Sequence, residues 1–321
     1  MNSVCIVGGA GFIGSHFVEH LVNTSNDRVV VVDDLSSGGL ERINPFLDEP
    51  RVRFVQLDAR EIESLTTTLK QNCVDTVVHL ASNPDIAAAM DNPTIDFDCG
   101  TLITQSVVEA SRLANVRTIL YASGSGVYGD CGDELCIESS TVPHPISTYG
   151  ASKLAGETLL SAYSHMSSIR CLGFRFGNVV GHRATHGVYY DFVNRLFDNP
   201  LELNVRGNGN QSKSYVHVSD VISAVFKAES QQKSGFEVYN VATRDYLTVR
   251  EIVEMAITTG GLNRDCVKIR YEESERGWLG DVPVVRLSSE KIRALGWDNK
   301  YSSREAMLNA LNSRWEEVRG S

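Results

Sequence analysis

Tyr149 and Lys153 are the residues whose types and spacing most directly suggest chemistry, in the stretch Tyr149-Gly150-Ala151-Ser152-Lys153. Side chains four residues apart lie on one face of a helix. An ammonium beside a phenol favours the phenolate, as does a positively charged ring, so we expect Tyr149 to accept a hydroxyl proton near neutral pH. The same spacing occurs on ordinary surface helices, so the assignment depends on what the rest of the chain supplies.

A glycine-rich segment near the amino terminus supplies the partner for that chemistry. Gly8, Gly11 and Gly14 lie between a predicted strand at residues 4–7 and a predicted helix at 12–22. Their spacing permits a tight turn, close approach of backbone to a pyrophosphate, and close helix–strand packing. Asp33 ends the second predicted strand, where a carboxylate accepts hydrogen bonds from a ribose diol and repels a 2'-phosphate. The cofactor is therefore predicted to be NAD rather than NADP.

Strands and helices alternate along the first half of the chain. Strands are predicted at 4–7, 29–32, 52–57, 76–81, 118–122 and 169–176, and helices at 12–22, 61–71, 92–114 and 149–164. Continuous apolar runs such as 29–32 are typical of strands buried on both faces of a parallel sheet. This pattern predicts a doubly wound α/β fold of the Rossmann type. Residues 1–176 would form the NAD-binding domain, with 213–242 returning to it. Residues 177–212 and 243–321 would form a smaller carboxy-terminal substrate lobe.

Composition narrows the partners of the protein. The 321 residues carry a net charge of -10, which repels nucleic acid and anionic membrane surfaces. The sequence has no run of about 18 apolar residues and no leader-like start, so we expect a cytoplasmic protein. Seven scattered cysteines without a Cys-x-x-Cys pair disfavour disulfides and a zinc site. No metal, nucleic acid or membrane is therefore expected to bind.

Taken together, these motifs resemble the extended short-chain dehydrogenase/reductases, and among them the nucleotide-sugar epimerases and dehydratases. The resemblance spans almost the whole chain and includes the following segments: 8–14, 33–38, Asp58, 79–81, Ser123 with 127–129, 149–153, 175–181, 207–209, 215–220, 239–241 and 295–297. It implies that Tyr149 and Lys153 act beside NAD on the hydroxyl of a nucleotide-bound sugar.

The resemblance also implies the other site residues. The expected NAD contacts are Gly8, Gly11, Phe12, Ile13, Gly14, Asp33, Asp58, Ala59, Leu80, Ala81, Tyr149 and Lys153. Asn178, Lys213 and Arg276 would hold the diphosphate of a UDP-sugar, with Lys213 standing where relatives usually carry arginine. Phe97 stands where the family usually has an asparagine near the cofactor. Family members also tend to dimerise through helices corresponding to residues 92–114 and 149–164, so a homodimer is expected.

Gly124, Ser125 and Gly126 depart from the family at the point that decides the reaction. Relatives carry serine or threonine at position 124 to relay the sugar proton, and 4,6-dehydratases follow it with aspartate and glutamate. Three interpretations remain open. The chain is a 4-epimerase in which Ser123 or Ser125 relays the proton or Tyr149 acts directly. Alternatively it is a UDP-N-acetylglucosamine 5,6-dehydratase that forms an exocyclic alkene, or a sensor that binds NAD without turnover. We favour the 5,6-dehydratase, for which Ser123 and Ser125 are candidate catalytic residues and Ser125 a candidate substrate contact.

Overall fold

A seven-stranded parallel sheet forms the centre of the protein in the computed structural model, which describes residues 2–320. Its strands are β1 (Ser3–Val7), β2 (Arg28–Asp33), β3 (Val52–Gln56), β4 (Thr76–His79), β5 (Thr118–Gly124), β7 (Arg170–Phe176) and β12 (Phe236–Val241). They are ordered β12-β7-β5-β4-β1-β2-β3. The order reverses direction between β1 and β4, and ligands of open α/β sheets bind beyond the carboxyl ends of the strands at such a reversal. The doubly wound fold predicted from the sequence is confirmed.

Helices cover both faces of this sheet because its strands are apolar on both sides. Helices α1 (Phe12–Thr24) and α7 (Val218–Gln231) cover one face; α3 (Ile62–Gln71), α4 (Ile103–Leu113) and α5 (Thr148–Ser167) cover the other. Within β2, Val29 and Val31 pack towards α1, whereas Val30 and Val32 pack towards α3 and α4. This alternation fixes which side chains of each strand can reach α5.

Two elements near the site differ from the sequence prediction. Strand β5 continues to Gly124, which pairs with Phe176 of β7, so Gly124 is a strand residue and the turn begins at Ser125. The predicted helix at 92–114 instead begins with a π-helical turn at Phe97–Leu102, followed by α4. A Cβ at Gly100 in this turn would lie 2.6 Å from Ser152 Oγ of α5, so the turn and α5 are in close contact.

The remaining elements mostly build a second, smaller apolar core. Its helices are α6 (Val188–Asp198), α8 (Val249–Thr259) and α10 (Ser303–Gly320), which pack around Leu203, Ile252 and Leu311. Four short strand pairs lie outside the large sheet: β8 (Asn178–Val180) with β11 (Tyr215–His217), β9 (Glu202–Val205) with β14 (Lys268–Tyr271), β10 (Ser212–Lys213) with β13 (Leu247–Thr248), and β6 (Leu135–Cys136) with β15 (Arg286–Leu287).

The two shortest helices are α2 (Asn44–Leu47) and α9 (Glu290–Arg293). Three-residue or five-residue 3-10 turns lie at Leu40–Arg42, Ile86–Met90, Ser125–Val127 and Arg264–Cys266. Among the helices of residues 2–320, none has the length and apolar character needed to cross a membrane.

Candidate active site

The glycine-rich loop after β1 has the geometry that a dinucleotide requires. Gly8 has φ +81°, a region that favours glycine, and a Cβ there would lie 2.6 Å from the Ala81 backbone nitrogen. A Cβ on Gly14 would overlap the Gly8 carbonyl oxygen. A Cβ on Gly11 would contact that same oxygen at 3.3 Å, at the amino end of α1. Because these glycines carry no side chains, a pyrophosphate can closely approach the backbone at the amino end of α1.

Asp33 ends β2 directly beside this loop and is buried. Its carboxylate accepts hydrogen bonds from the backbone N–H groups of Ala10 and Leu35, each at 2.9 Å. Burial raises the pKa of Asp33, while these two hydrogen bonds oppose the rise. A carboxylate oxygen accepts more than one hydrogen bond, so Asp33 can hold the loop and still receive a ribose hydroxyl.

The other expected cofactor residues lie around the same edge of the sheet. Leu80 and Ala81 donate their backbone N–H groups to the Val7 carbonyl, which places them next to Gly8. Asp58 is held by Arg60, whose Nη2 lies 2.7 Å from Asp58 Oδ2, and this hydrogen bond lowers the pKa of Asp58. The remaining expected contacts, Phe12, Ile13 and Ala59, are buried or half-buried at the starts of α1 and α3.

Helix α5 brings Tyr149 and Lys153 together at the carboxyl end of β5. Ser147 caps the helix by accepting a hydrogen bond from the Gly150 N–H at 3.1 Å, which fixes the first turn. Lys153 Nζ donates to the Ala122 carbonyl at 2.9 Å and lies 5.4 Å from the centre of the Tyr149 ring. The sequence-predicted pair is therefore adjacent to the strand that precedes the glycine turn.

Burial controls the protonation of both groups. Burial raises the pKa of Tyr149 to about 12 and lowers the pKa of Lys153 to about 8. Without a cofactor, Tyr149 is therefore a neutral phenol at pH 7, and the expectation of a phenolate near neutral pH does not hold for the protein alone. The positive charge of an oxidised nicotinamide beside the ring would lower the pKa of Tyr149 towards the working range.

The serines proposed as proton relays have different surroundings. Ser123 Oγ donates to Glu157 Oε1 at 2.5 Å, and Glu157 forms a buried ion pair with Arg175. Ser123 is therefore committed to this buried group. Ser125 begins the 3-10 turn and is half-buried. The Ser82 hydroxyl, which donates to the Asn83 carbonyl at 3.3 Å, interacts with Tyr149 and tends to lower its pKa.

Gly124 and Gly126 leave space directly beside Tyr149. A Cβ on Gly124 would lie 3.9 Å from Tyr149 Cε1, and a Cβ on Gly126 would lie 3.9 Å from Cδ1 of the same ring. Gly124 has φ -154° and ψ 164°, an extended conformation that any residue adopts. Neither its conformation nor its immediate neighbours require a glycine at position 124.

Asp96 is a site residue that the sequence analysis missed. It is 1% exposed, and its two carboxylate oxygens accept hydrogen bonds from Asn83 Nδ2 at 2.9 Å and Thr148 Oγ1 at 2.7 Å. Its negative charge raises the pKa of both Tyr149 and Lys153. Asp96 precedes the π-helical turn within a segment predicted as plain helix, so no motif marked it. Phe97, the next residue, is 58% exposed.

The cations expected to bind a diphosphate converge on one loop of the smaller lobe. Lys213 Nζ lies 2.6 Å from Asp281 Oδ1, while Arg276 donates to the Asp281 carbonyl and pairs with Asp130. Arg286, which the sequence analysis did not include, donates to the Ser212 carbonyl at 3.0 Å beside Lys213. Each expected cation therefore already has a carboxylate partner.

Asn178, the third expected diphosphate contact, lies in β8 at the start of the smaller lobe. Its backbone N–H donates to the Ser214 carbonyl at 3.1 Å, and its side chain tends to lower the pKa of Tyr215, which burial raises. Asn178 and Tyr215 are also directly paired in the β8–β11 ladder. Asn178 thus belongs to the strand pair that leads into Lys213 and the cation loop.

A glycine-rich dinucleotide loop beside a half-buried tyrosine and a buried lysine, with cations in a second lobe, is the arrangement of a Rossmann-fold, dinucleotide-dependent enzyme. Residues 4–242 match the NAD dependent epimerase/dehydratase family, and the chain belongs to that family. Membership confirms the expected family and its NAD dependence.

Individual relatives include both epimerases and dehydratases. The UDP-glucose 4-epimerase of Mycolicibacterium smegmatis is 30% identical over 313 residues, covering 95% of this chain and 96% of the relative. A crystal structure of a UDP-galactose 4-epimerase superposes with a TM-score of 0.87 at 34% identity, covering 98% of this chain and 99% of the other. The dTDP-glucose 4,6-dehydratase of Streptomyces venezuelae, solved with NAD bound, gives a TM-score of 0.89 at 26% identity, covering 99% and 98%.

Proposed function

We propose that the protein binds a UDP-sugar in the smaller lobe and oxidises its C4 hydroxyl transiently. Bound NAD supplies the acceptor for the C4 hydrogen and returns that hydrogen at the end of the cycle. Tyr149 takes the hydroxyl proton, and the buried Lys153 ammonium supports that step by its charge. Lys213, Arg276 and Asn178 are proposed to hold the diphosphate.

We further propose that the fate of the C4 ketone is elimination across C5 and C6 of UDP-N-acetylglucosamine. A ketone at C4 acidifies the C5 proton, so C5 loses a proton and C6 loses its hydroxyl, and the two leave as water. Reduction of C4 then leaves a 5,6-alkene without net oxidation. The proposed reaction resembles that of the UDP-N-acetylglucosamine 5,6-dehydratase of tunicamycin biosynthesis.

The single observation that carries this proposal is the open space at Gly124. A side chain at position 124 would lie at ordinary contact distance from Tyr149, so neither the backbone conformation nor the packing requires a glycine there. We infer that the space receives the sugar in a position that differs from that in relatives with a threonine. Ser125 and Gly126 follow, so the aspartate and glutamate of the 4,6-dehydratases are also missing.

Ser82 is proposed to replace the missing relay. Its hydroxyl interacts with Tyr149 and lowers the pKa of that phenol, and it lies in the segment after β4 that also carries Ala81. Ser82→Ala should therefore slow turnover by about a hundredfold or more while NAD remains bound, since groups that move a proton in the transition state contribute at this scale. Steady-state rates and cofactor absorbance measure the two effects separately, and an unchanged rate would remove Ser82 from the relay.

A 4-epimerase is the second candidate, because the relatives at 30% and 34% identity are 4-epimerases. In that case the C4 ketone rotates and is reduced from the other face. Ser82 and Tyr149 would keep the same proton roles, so the site geometry is compatible with either outcome.

One incubation separates the candidates. Purified protein with UDP-N-acetylglucosamine in deuterated water should give a product lighter by one water, with new vinyl proton signals from C6 and no proton signal from C5. An unchanged sugar mass with an altered C4 proton coupling would instead establish the epimerase. Tyr149→Phe is the control and should be silent in both assays. If the wild-type protein is equally silent with NAD bound, the proposed enzyme is replaced by an NAD-binding sensor.

The homodimer and the cytoplasmic location predicted from the sequence stay proposals. The dimer would use α4 and α5, and light scattering of the purified protein measures its mass directly.

A further inference from the structure

Two histidines and a glutamate lie close together between α1 and the segment that follows β8. His16 and Glu19 lie on α1, and His182 follows β8 at the entry to the smaller lobe. One nitrogen of each histidine and one carboxylate oxygen of Glu19 lie within 4.8 Å of one another. His16 is buried, whereas Glu19 and His182 are half-buried and open to solvent on one side.

The separation of the two imidazole nitrogens has the value that a shared metal ion would give. His16 Nε2 lies 3.3 Å from His182 Nδ1. Two nitrogens bound to one tetrahedral zinc at about 2.0 to 2.1 Å are roughly 3.3 to 3.4 Å apart. A carboxylate within reach supplies a third ligand, and water can complete the tetrahedron.

The hydrogen bonds around His16 prepare its free nitrogen for that role. Its Nδ1 lies 2.9 Å from the Phe12 carbonyl, so Nδ1 carries the proton and donates, which leaves the Nε2 lone pair directed towards His182. Metal-binding histidines commonly donate their second ring N–H to a backbone carbonyl in this way.

Two neighbouring groups determine how the third and fourth positions are filled. His217 is close enough to influence both histidines, but its nitrogens are engaged by Ser219 Oγ at 2.7 Å and Asn309 Oδ1 at 3.1 Å. Arg183 pairs with Glu19 at 2.8 Å and competes with a metal for that carboxylate. A metal therefore exchanges the Arg183 contact of Glu19 for a direct bond.

We propose that His16, His182 and Glu19 form a binding site for zinc or a similar divalent cation, and that the ion links α1 to the entry of the smaller lobe. The role is structural, because the site joins two parts of the chain and contains neither Tyr149 nor Lys153. It is independent of the reaction proposed above. No short sequence motif indicates this metal site, because His16 and His182 are 166 residues apart.

The test is a zinc competition titration of the NAD-bound protein, stripped of metal by a chelator, against a chromophoric chelator. We expect one zinc per chain, with affinity reduced at least about tenfold in His182→Ala and also reduced in Glu19→Gln. His165→Ala removes an exposed histidine from the last turn of α5 and should bind zinc as the wild type does. Circular dichroism verifies that each variant is folded.

X-ray absorption at the zinc edge identifies the ligands. Nitrogen and oxygen neighbours at about 2.0 to 2.1 Å support the site, whereas sulfur neighbours at about 2.3 Å would assign the ion to cysteines and overturn it. The proposal also fails if the wild type takes up no zinc, or if His182→Ala retains the full affinity. Either result would show that the two histidines only share a hydrogen bond.

Discussion

Replacing Lys153 with methionine should make the protein more stable at neutral pH while removing its activity. Burial lowers the pKa of the Lys153 ammonium from 10.5 to about 8. At about 1.4 kcal/mol per tenfold change in proton affinity, the folded state carries a penalty of about 3 kcal/mol at pH 7. Methionine has a similar length and no charge, but it loses the hydrogen bond to the Ala122 carbonyl, worth about 1 kcal/mol. The net expectation is a gain of about 2 kcal/mol.

The pH dependence gives the prediction its sign. The pKa of Lys153 is lower in the folded state, so the unfolded chain binds more protons between pH 8 and 10.5. The penalty on the wild type is complete below about pH 8, decreases as pH rises through that window, and is absent above it. The advantage of Lys153→Met should therefore shrink from pH 7 to pH 10 and then reverse by the value of the lost hydrogen bond.

Urea unfolding of NAD-free protein, followed by tryptophan fluorescence at several pH values, measures this difference. The cofactor has to be removed because a ligand of the folded state adds its own stabilisation. Lys268→Met at an exposed site is the matched control and should change the free energy of unfolding by less than about 0.5 kcal/mol. A Lys153→Met protein that is less stable than the wild type at pH 7 would refute the argument from burial.

Four further substitutions test the loop, the buried ion pair and the open space. Gly14→Ala forces a Cβ onto the Gly8 carbonyl oxygen and should lower the free energy of unfolding by about 1 to 3 kcal/mol. Gly11→Ala should fold normally but bind NAD more weakly. Urea unfolding measures the first effect and NAD titration the second. Glu157→Gln leaves the buried Arg175 without its counter-charge and should cost about 3 to 5 kcal/mol in the same unfolding assay. Gly124→Thr should change stability by less than about 1 kcal/mol but slow a dehydratase that uses the space, and unchanged turnover of UDP-N-acetylglucosamine would show that the space is not used.

The parallel sheet was predictable because its strands are buried on both faces. Residues 29–32 are four consecutive valines, and such a continuous apolar run is typical of a strand that is buried on both faces of a parallel sheet. The end of β5 was less predictable. Gly124 lowers strand propensity, and only pairing with Phe176 of the neighbouring strand extends β5 to that residue.

The site was predictable where residues close in sequence act together. Tyr149 and Lys153 lie about one helical turn apart, and Gly8 and Gly14 lie in the segment from the end of β1 to the first turn of α1. Their spacing in the sequence therefore predicts that each pair is close in space. Asp96 contacts Asn83 and Thr148, which lie in other parts of the chain, and no local sequence pattern predicts these contacts. The partner of Ser123 could not be predicted for a related reason: Glu157 is 34 residues away, and only the strand register shows that Ser123 faces α5.

The charges of the smaller lobe are compatible with the proposed binding of a diphosphate by a protein of net charge -10. The side chains of Lys213 and Arg276 are half-buried, 21% and 34% exposed, so each partly desolvated cation needs a partner for its charge. Asp281 and Asp130 meet that need before a ligand arrives. In the proposed complex, a diphosphate that replaced these carboxylates would exchange one set of ion pairs for another. Asp281 also accepts the Gly277 N–H at 3.1 Å, so one carboxylate holds both Lys213 and the loop that carries Arg276. If the proposed function holds, a diphosphate that displaced Asp281 would therefore change the contacts of both expected cations at once.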